Sequence, residues 1–473
     1  MTPATMAAMR LPLDPSPTQM REMGQATLDY LVEFIRGLDD APAEATEGAL
    51  NLARRLRGSP PEDGRPFDDL FAEVHEAVAR TFEYSGPGYL AYIPGGGLFT
   101  AALAEFIAQG VNRYVGLWGP SPAVVQLEEN VARWLCDLFD FPDGSQGILT
   151  SGGSMANFSA VVTARHAKLG ADFLDGTYYV SAQTHASVTK AASLAGFSER
   201  NLRIVPTDGE LRLDPDALRE LIETDRRAGL RPFLVVASAG TTNTGAIDPI
   251  DAVADIVAEH ELWLHVDGAY GGFFQLTERG RARFDGMTRA DSITLDPHKG
   301  LFLPYGTGAL VVRDGAALRD AHFEGAPYLQ DLSPAGELPN YSEYSPELSR
   351  DWRGLRVWMP LVLHGVGAFR EALDEKLDLT IRLRDGLAKD PFLEVPWDPQ
   401  LTVVAFRLVE GDQQANTRLL HAINDSKRVF LSSTLVQERY LIRACIVSHR
   451  THADRIDECI EIVRKAAAEV AAG

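Results

Sequence analysis

Residues 262–270 read Leu-Trp-Leu-His-Val-Asp-Gly-Ala-Tyr, and residues 291–300 read Asp-Ser-Ile-Thr-Leu-Asp-Pro-His-Lys-Gly. Each begins as a short apolar run of the kind that forms a buried strand. Each stops abruptly on polar residues, Asp267 in the first and His298 and Lys299 in the second. In an open α/β sheet, ligands bind in the crevice beyond the carboxyl ends of the strands, so adjacent strands can deliver Asp267 and Lys299 to one pocket. The 32-residue separation leaves room for the crossover that parallel strands require.

An acid and a lysine sharing a buried pocket suggest pyridoxal phosphate. The lysine is its Schiff-base partner, and the carboxylate pairs with the pyridinium nitrogen so that the ring can accept electrons. The motifs His265-Val-Asp267-Gly-Ala269-Tyr270 and Asp296-Pro-His298-Lys299 resemble those of the group II pyridoxal-phosphate decarboxylases, which include the aromatic-L-amino-acid, histidine and glutamate decarboxylases. The resemblance runs from Met20 to Thr451. It implies an α/β chain of the PLP-dependent transferase fold (fold type I). In that reading residues 1–94 are a helical dimerisation segment, residues 95–352 a large cofactor-binding domain with a mostly parallel seven-stranded sheet, and residues 353–473 a smaller α+β domain.

Upstream, Gly147–Ser151 reads as a strand, and Gly152-Gly153-Ser154 opens a helix over 155–167. Glycines at a helix N-terminus expose backbone N–H groups at the positive end of the dipole, an anion site suited to a phosphate, to which Ser154 adds a hydroxyl. Strands are expected at 177–181, 202–205, 233–238 and 307–312, about seven in all, mostly alternating with helices. An isolated histidine such as His185 is more often a hydrogen-bonded structural group. The resemblance instead implies that His185 stacks on the cofactor ring, that Ala269 covers the other face, and that Thr242 and His298 line the same pocket. Asp248 matches a carboxylate that helps hold the site, and it also suits the cap of a helix beginning at Pro249. Asp296, as an anion beside a phosphate, is expected to turn away or to accept backbone hydrogen bonds.

The stretch Tyr84–Pro94, the triple glycine Gly95–Gly97 and the run Gly116–Pro122 set aromatics among glycines and prolines, as binding loops do. Tyr89 and Tyr92 can equally pack between domains. The resemblance matches Ala91-Tyr92-Ile93-Pro94 to the wall of the substrate pocket, while the triple glycine departs from the family. Tyr89, Tyr92, Phe99 and Trp118 point to an aromatic amino acid, with Tyr92, Pro94 and Trp118 as substrate contacts. The segment 322–344 has little periodicity and is too long for a routine connector. By resemblance it is a loop that closes over the active site, often from the partner subunit, and its Tyr328 is the catalytic tyrosine that protonates the carbanion left by carbon dioxide. Arg350, Arg353 and Arg356 fall near helical spacing among apolar residues and read as salt-bridged structure.

Apolar residues make up 45% of the 473-residue chain, enough for a large core, and the net charge of −21 without a basic block argues against nucleic acid or acidic membranes as partners. No stretch is apolar for long enough to span a bilayer. Residues 1–11 lack the apolar core of a secretory signal, which points to a cytoplasmic chain. Three scattered cysteines suggest reduced core residues. The apolar positions of residues 15–38 recur at helical spacing with Ser16 as a cap, and the resemblance implies that this helix clasps a partner subunit in an obligate homodimer. After a long helix from Glu371, strands at 401–408, 429–435 and 440–446 and a helix at 452–468 complete the small domain. No metal-site, Walker or serine-hydrolase motif is present.

The expected reaction is decarboxylation of an L-amino acid to its amine, with Lys299, Tyr328, His185 and Asp267 catalytic. Gly152, Gly153, Ser154, Thr242, Ala269 and His298 join Lys299, His185 and Asp267 in holding the cofactor. Three alternatives stay open: an acidic or basic substrate, oxidative deamination to an aldehyde, and a cofactor-free interaction protein on the same scaffold.

Overall fold

The computed structural model describes residues 13–325 and 338–472. Seven strands form one sheet: β1 (Gln146–Thr150), β2 (Gly176–Ser181), β3 (Leu202–Val205), β4 (Arg231–Ser238), β5 (Trp263–Gly268), β6 (Ser292–Leu295) and β7 (Gly308–Val312). Their spatial order is β1-β7-β6-β5-β4-β2-β3. Strands β3, β2, β4, β5 and β6 pair in parallel, and β7 runs antiparallel to both β6 and β1. Strand β1 therefore points the same way as the parallel set. The order reverses between β2 and β4, and the carboxyl ends of β1, β2, β4, β5 and β6 share one edge, the place where such a sheet builds its site.

Successive strand side chains point to opposite faces, so a strand covered on both sides must be apolar throughout. Val235, Ala237, Leu264, Val266 and Ile293 pack into one core, and Val180, Leu234, Val236, Trp263 and Leu310 into the other. Each such side chain withdrawn from water stabilises the fold by about 1.5–3 kcal/mol before chain entropy is charged against it.

A second sheet, β10-β11-β9-β8, is antiparallel throughout and comprises β8 (Leu393–Glu394), β9 (Val403–Leu408), β10 (Ser432–Val436) and β11 (Arg439–Cys445). Gln437 and Glu438, both at positive φ, form the two-residue turn between β10 and β11, the backbone that matches strand twist. The helices Gln413–Asn424 and Ala453–Ala472 contribute to the core packed on this sheet.

The helix expected from Glu371 begins at Gly354 and reaches Ala388, broken at Gly365, whose φ of 77° is open to glycine. Sequence pattern marked only the part beyond the break. Near the N-terminus, the helix Pro17–Arg36 starts on a capping box: Ser16 Oγ accepts the Gln19 N–H and Gln19 Oε1 accepts the Ser16 N–H. None of its residues is buried; Tyr30 stacks on His75 at 3.8 Å, while Met20, Leu28 and Val32 stay exposed. All three cysteines are buried and unpaired.

Candidate active site

Asp267, the penultimate residue of strand β5, is buried and lines a cleft of about 280 Å³. Asp267 Oδ1 accepts the Ala269 N–H at 3.1 Å, and Oδ2 accepts from Asn157 Nδ2 at 3.1 Å. The neighbouring strand β6 runs into the short helix Pro297–Gly300, which carries Lys299 into the same cleft. Lys299 Nζ lies 2.9 Å from Asp296 Oδ2. Asp296 is buried and lines the cleft, and its Oδ1 has no hydrogen-bond partner among the described residues. It neither turns away nor accepts a backbone N–H; the nearby ammonium is what compensates its charge.

Opposite lies the N-terminus of the helix Gly153–Leu169, which no side chain among the described residues caps; the Met155 and Ala156 N–H groups bond the Gly152 carbonyl, and those of Gly153 and Ser154 remain available to a ligand. Gly152, Gly153 and Ser154 all line the cleft, as do Thr242, Ala269 and His298. His298 Nδ1 donates to the Thr307 carbonyl at 2.7 Å, and burial holds its pKa below the ordinary histidine value. His185 lies in the cleft at the N-cap of the helix Ala186–Leu194, where its Nδ1 accepts the Ser187 N–H. The structure thus brings together Lys299, Asp267, His185 and every expected cofactor contact.

The expected substrate contacts are arranged differently. Tyr92 is exposed and sits at a φ of 53°, Pro94 is buried, and Trp118 is half-buried against the sheet's second core; none of the three lines the cleft within this chain. Tyr328 lies outside the described residues. The triple glycine has a steric origin: a β-carbon on Gly95 would stand 2.7 Å from the His298 carbonyl oxygen, so this loop presses on the turn that carries Lys299.

Several site residues escaped the sequence reading. Asn157, one turn into the helix Gly153–Leu169, and Ser187 both line the cleft. Arg443, buried on β11, donates to the Thr242 carbonyl at 2.7 Å, to the Asn243 carbonyl at 3.3 Å and to Ser432 Oγ at 3.1 Å. Ser432 Oγ also accepts the Tyr92 N–H at 3.1 Å, so one arginine ties the Thr242 loop and the Tyr92 loop to the small sheet. Only proximity in space links these residues, and no local motif carries it. Asp248 accepts the N–H groups of Leu213 and Ser238, each at 2.7 Å, and burial raises its pKa to about 6. It staples the end of β4 and does not cap the following helix, whose N-cap is Pro249.

These groups fit pyridoxal phosphate. An uncapped helix N-terminus suits a phosphate, an amine within the cleft suits an aldehyde, and a carboxylate with both oxygens hydrogen-bonded suits a protonated ring nitrogen. Asp296 is an anion placed against the helix N-terminus, and Lys299 offsets it. Among the described residues, no cluster of histidine, cysteine or acidic side chains could hold a metal ion.

The family model described as pyridoxal-dependent decarboxylase conserved domain matches residues 50–409. The chain is 34% identical to an aromatic-L-amino-acid decarboxylase of Bacillus atrophaeus, over 96% of this chain and 97% of that one. It is 27% identical to a phenylacetaldehyde synthase of Arabidopsis thaliana, over 95% and 96% of the two chains. The crystal structure of Oryza sativa TDC with PLP and tryptamine superposes with a TM-score of 0.91 at 27% identity, covering 98% of this chain and 99% of that one.

Proposed function

The chain belongs to the group II pyridoxal-phosphate decarboxylases and is a PLP-dependent amino acid carboxy-lyase, and from this premise we propose that it converts an aromatic L-amino acid to its amine and carbon dioxide. The observation that carries the reading is the delivery of Lys299 and Asp267, from adjacent parallel strands, into one cleft facing an uncapped helix N-terminus. Support for an aromatic substrate comes from the names of relatives that span the whole chain, and from the aromatic stretch around Tyr92.

In this reading the N–H groups of Gly153 and Ser154 and the Ser154 hydroxyl hold the phosphate, while the Gly152 N–H donates to Thr150 Oγ1 at 3.3 Å and fixes the turn that presents them. When bound, pyridoxal phosphate supplies an electron sink for the pair left on the α-carbon as carbon dioxide departs. Lys299, whose amine stands in the cleft, would hold the cofactor through its aldehyde carbon. Asp267 keeps a proton on the ring nitrogen, His185 and Ala269 flank the ring, and Thr242 and His298 close the pocket. Tyr328 delivers the proton to the α-carbon; Tyr92, Pro94 and Trp118, which do not line the cleft within this chain, would meet the substrate side chain only across the subunit interface of the proposed homodimer. We place the enzyme in the cytoplasm, and we infer a homodimer, the latter supported by the exposed apolar residues Met20, Leu28 and Val32 of the helix Pro17–Arg36.

The phenylacetaldehyde synthases among the relatives support a second reading, in which dioxygen would take the electron pair left by carbon dioxide in place of a proton and be reduced to hydrogen peroxide, with water releasing aldehyde and ammonia. Tyr328 favours the amine, since its loss is the change associated with aldehyde formation. Product analysis by mass spectrometry, with a panel of L-amino acids under air and without oxygen, separates the two. Amine formed equally in both, and only from aromatic substrates, is the expected result; aldehyde and ammonia confined to air would replace it with the oxidative reaction. Lys299→Ala is expected to lower turnover by at least a thousandfold, a loss of about 4 kcal/mol in barrier stabilisation.

A further inference from the structure

A chain of buried hydrogen bonds runs behind the cleft, and the chemistry of its ends sets the direction of every proton in it. Asp267 Oδ2 only accepts, so the Asn157 atom 3.1 Å away is the amide nitrogen and the amide oxygen faces the other way. That oxygen lies 3.0 Å from His265 Nε2 and 2.7 Å from Thr294 Oγ1, and it too only accepts. His265 therefore carries its proton on Nε2. At its other nitrogen, Ser292 Oγ lies 2.8 Å from His265 Nδ1 and accepts from Trp263 Nε1, a donor only, at 2.8 Å. With His265 fully buried and its pKa lowered to about 4 by desolvation, Nδ1 is a bare acceptor and takes the Ser292 proton.

The second Asn157 amide hydrogen goes to Ser187 Oγ at 2.9 Å. Ser187 Oγ is 2.8 Å from His185 Nδ1, which already accepts the Ser187 N–H, so the hydroxyl donates there as well. His185 is thereby held with a bare Nδ1, leaving its proton on Nε2. Asn157 uses both amide hydrogens and its oxygen twice, and no capacity remains.

We propose that Asn157 is a positioning residue that orients Asp267 and His185 together, with His265 and Thr294 locking its amide from behind. One side chain thus fixes the carboxylate that meets the ring nitrogen and the proton placement of the histidine beside the ring. The inference rests on the roles given above to Asp267 and His185.

The test titrates apoenzyme with pyridoxal phosphate, following visible absorbance and circular dichroism, for Asn157→Asp, Ser187→Ala and, as a control, Asp267→Asn. Asn157→Asp keeps the oxygen that faces His265 and Thr294 but sets an acceptor against Asp267. Cofactor affinity is expected to fall at least tenfold and the visible dichroism of the bound cofactor to change. Ser187→Ala cuts only the His185 branch; affinity should stay within twofold while kcat drops several-fold at unchanged KM. Wild-type affinity and spectrum in Asn157→Asp overturn the proposal. Should that variant lack a folded melting transition, wild-type kcat in Ser187→Ala overturns it instead. If Asp267→Asn also matches wild type, the failure lies in the role given to Asp267.

Discussion

A β-carbon on Gly153 would lie 2.9 Å from Asp296 Oδ2 and 3.2 Å from the β-carbon of Ala269, so the helix N-terminus reaches the cleft only because this residue has no side chain. Gly153→Ala is expected to lower pyridoxal phosphate affinity about tenfold, some 1.4 kcal/mol, as read by apoenzyme titration. His265 carries a second expectation. Its folded pKa of about 4 lies below the ordinary 6.5, so between those values the unfolded chain binds more protons and acid favours unfolding. Its contribution is complete above pH 6.5 and is lost as pH falls towards 4, by roughly 2 kcal/mol between pH 7 and 5. Asp248, raised to about 6, acts in the opposite sense: the folded chain binds the extra proton, so its contribution declines as pH rises towards 6. Denaturant unfolding of wild type and His265→Gln at pH 7 and 5 isolates the histidine, and the variant should lose less stability on acidification. Of the site, Asp267 and Lys299 were legible because one lies at the end of an apolar strand and the other on the turn that directly follows one. Asn157 and Arg443 were not, because their meaning lies in partners 110 and 201 residues away.

At the scale of elements, the strands read well because burial on both faces leaves continuous apolar runs, and β1 to β7 fall within about two residues of their expected positions. Helices read less completely: Phe99–Val111 and Gln413–Asn424 went unmarked although Ala101, Ala104 and Ala108 in one and Leu419, Leu420 and Ile423 in the other recur at helical spacing, and the break at Gly365 hid the start of the long helix. The arginines of residues 350–356 are salt-bridged, as their spacing suggested. Arg350 and Glu128, both with fully buried side chains, meet at 2.6 Å; Arg350 also donates to the Leu149 carbonyl, and Glu128 accepts the Gly354 N–H. This pair fastens the start of the long helix to the helix Pro122–Asp137 and to β1. Glu128→Ala strands a buried guanidinium, and thermal unfolding should show a loss of about 3–5 kcal/mol.

For the whole molecule, the helix Pro17–Arg36 exposes Met20, Leu28 and Val32 while burying none of its residues, which supports a partner for that face in the proposed homodimer. Leu28→Glu combined with Val32→Glu should shift the protein to monomer in light scattering, with the sheet's far-ultraviolet signal retained. Among the described residues no helix is long and apolar enough to cross a membrane. The sheet order also dictates a history. Strand β1 is the first of the seven to be synthesised, yet among the described residues its only strand neighbour is β7, with Gln146 opposite Val312. While the nascent chain emerges, β2 to β6 can pair in turn, but β1 waits with its backbone unsatisfied until the last strand arrives. Distant pairings of this kind close slowly and leave aggregation-prone edges exposed in the interval. The turn Gly152–Ser154 follows β1 directly, so the part of the cleft suited to an anion is among the last parts of the sheet to be locked in place.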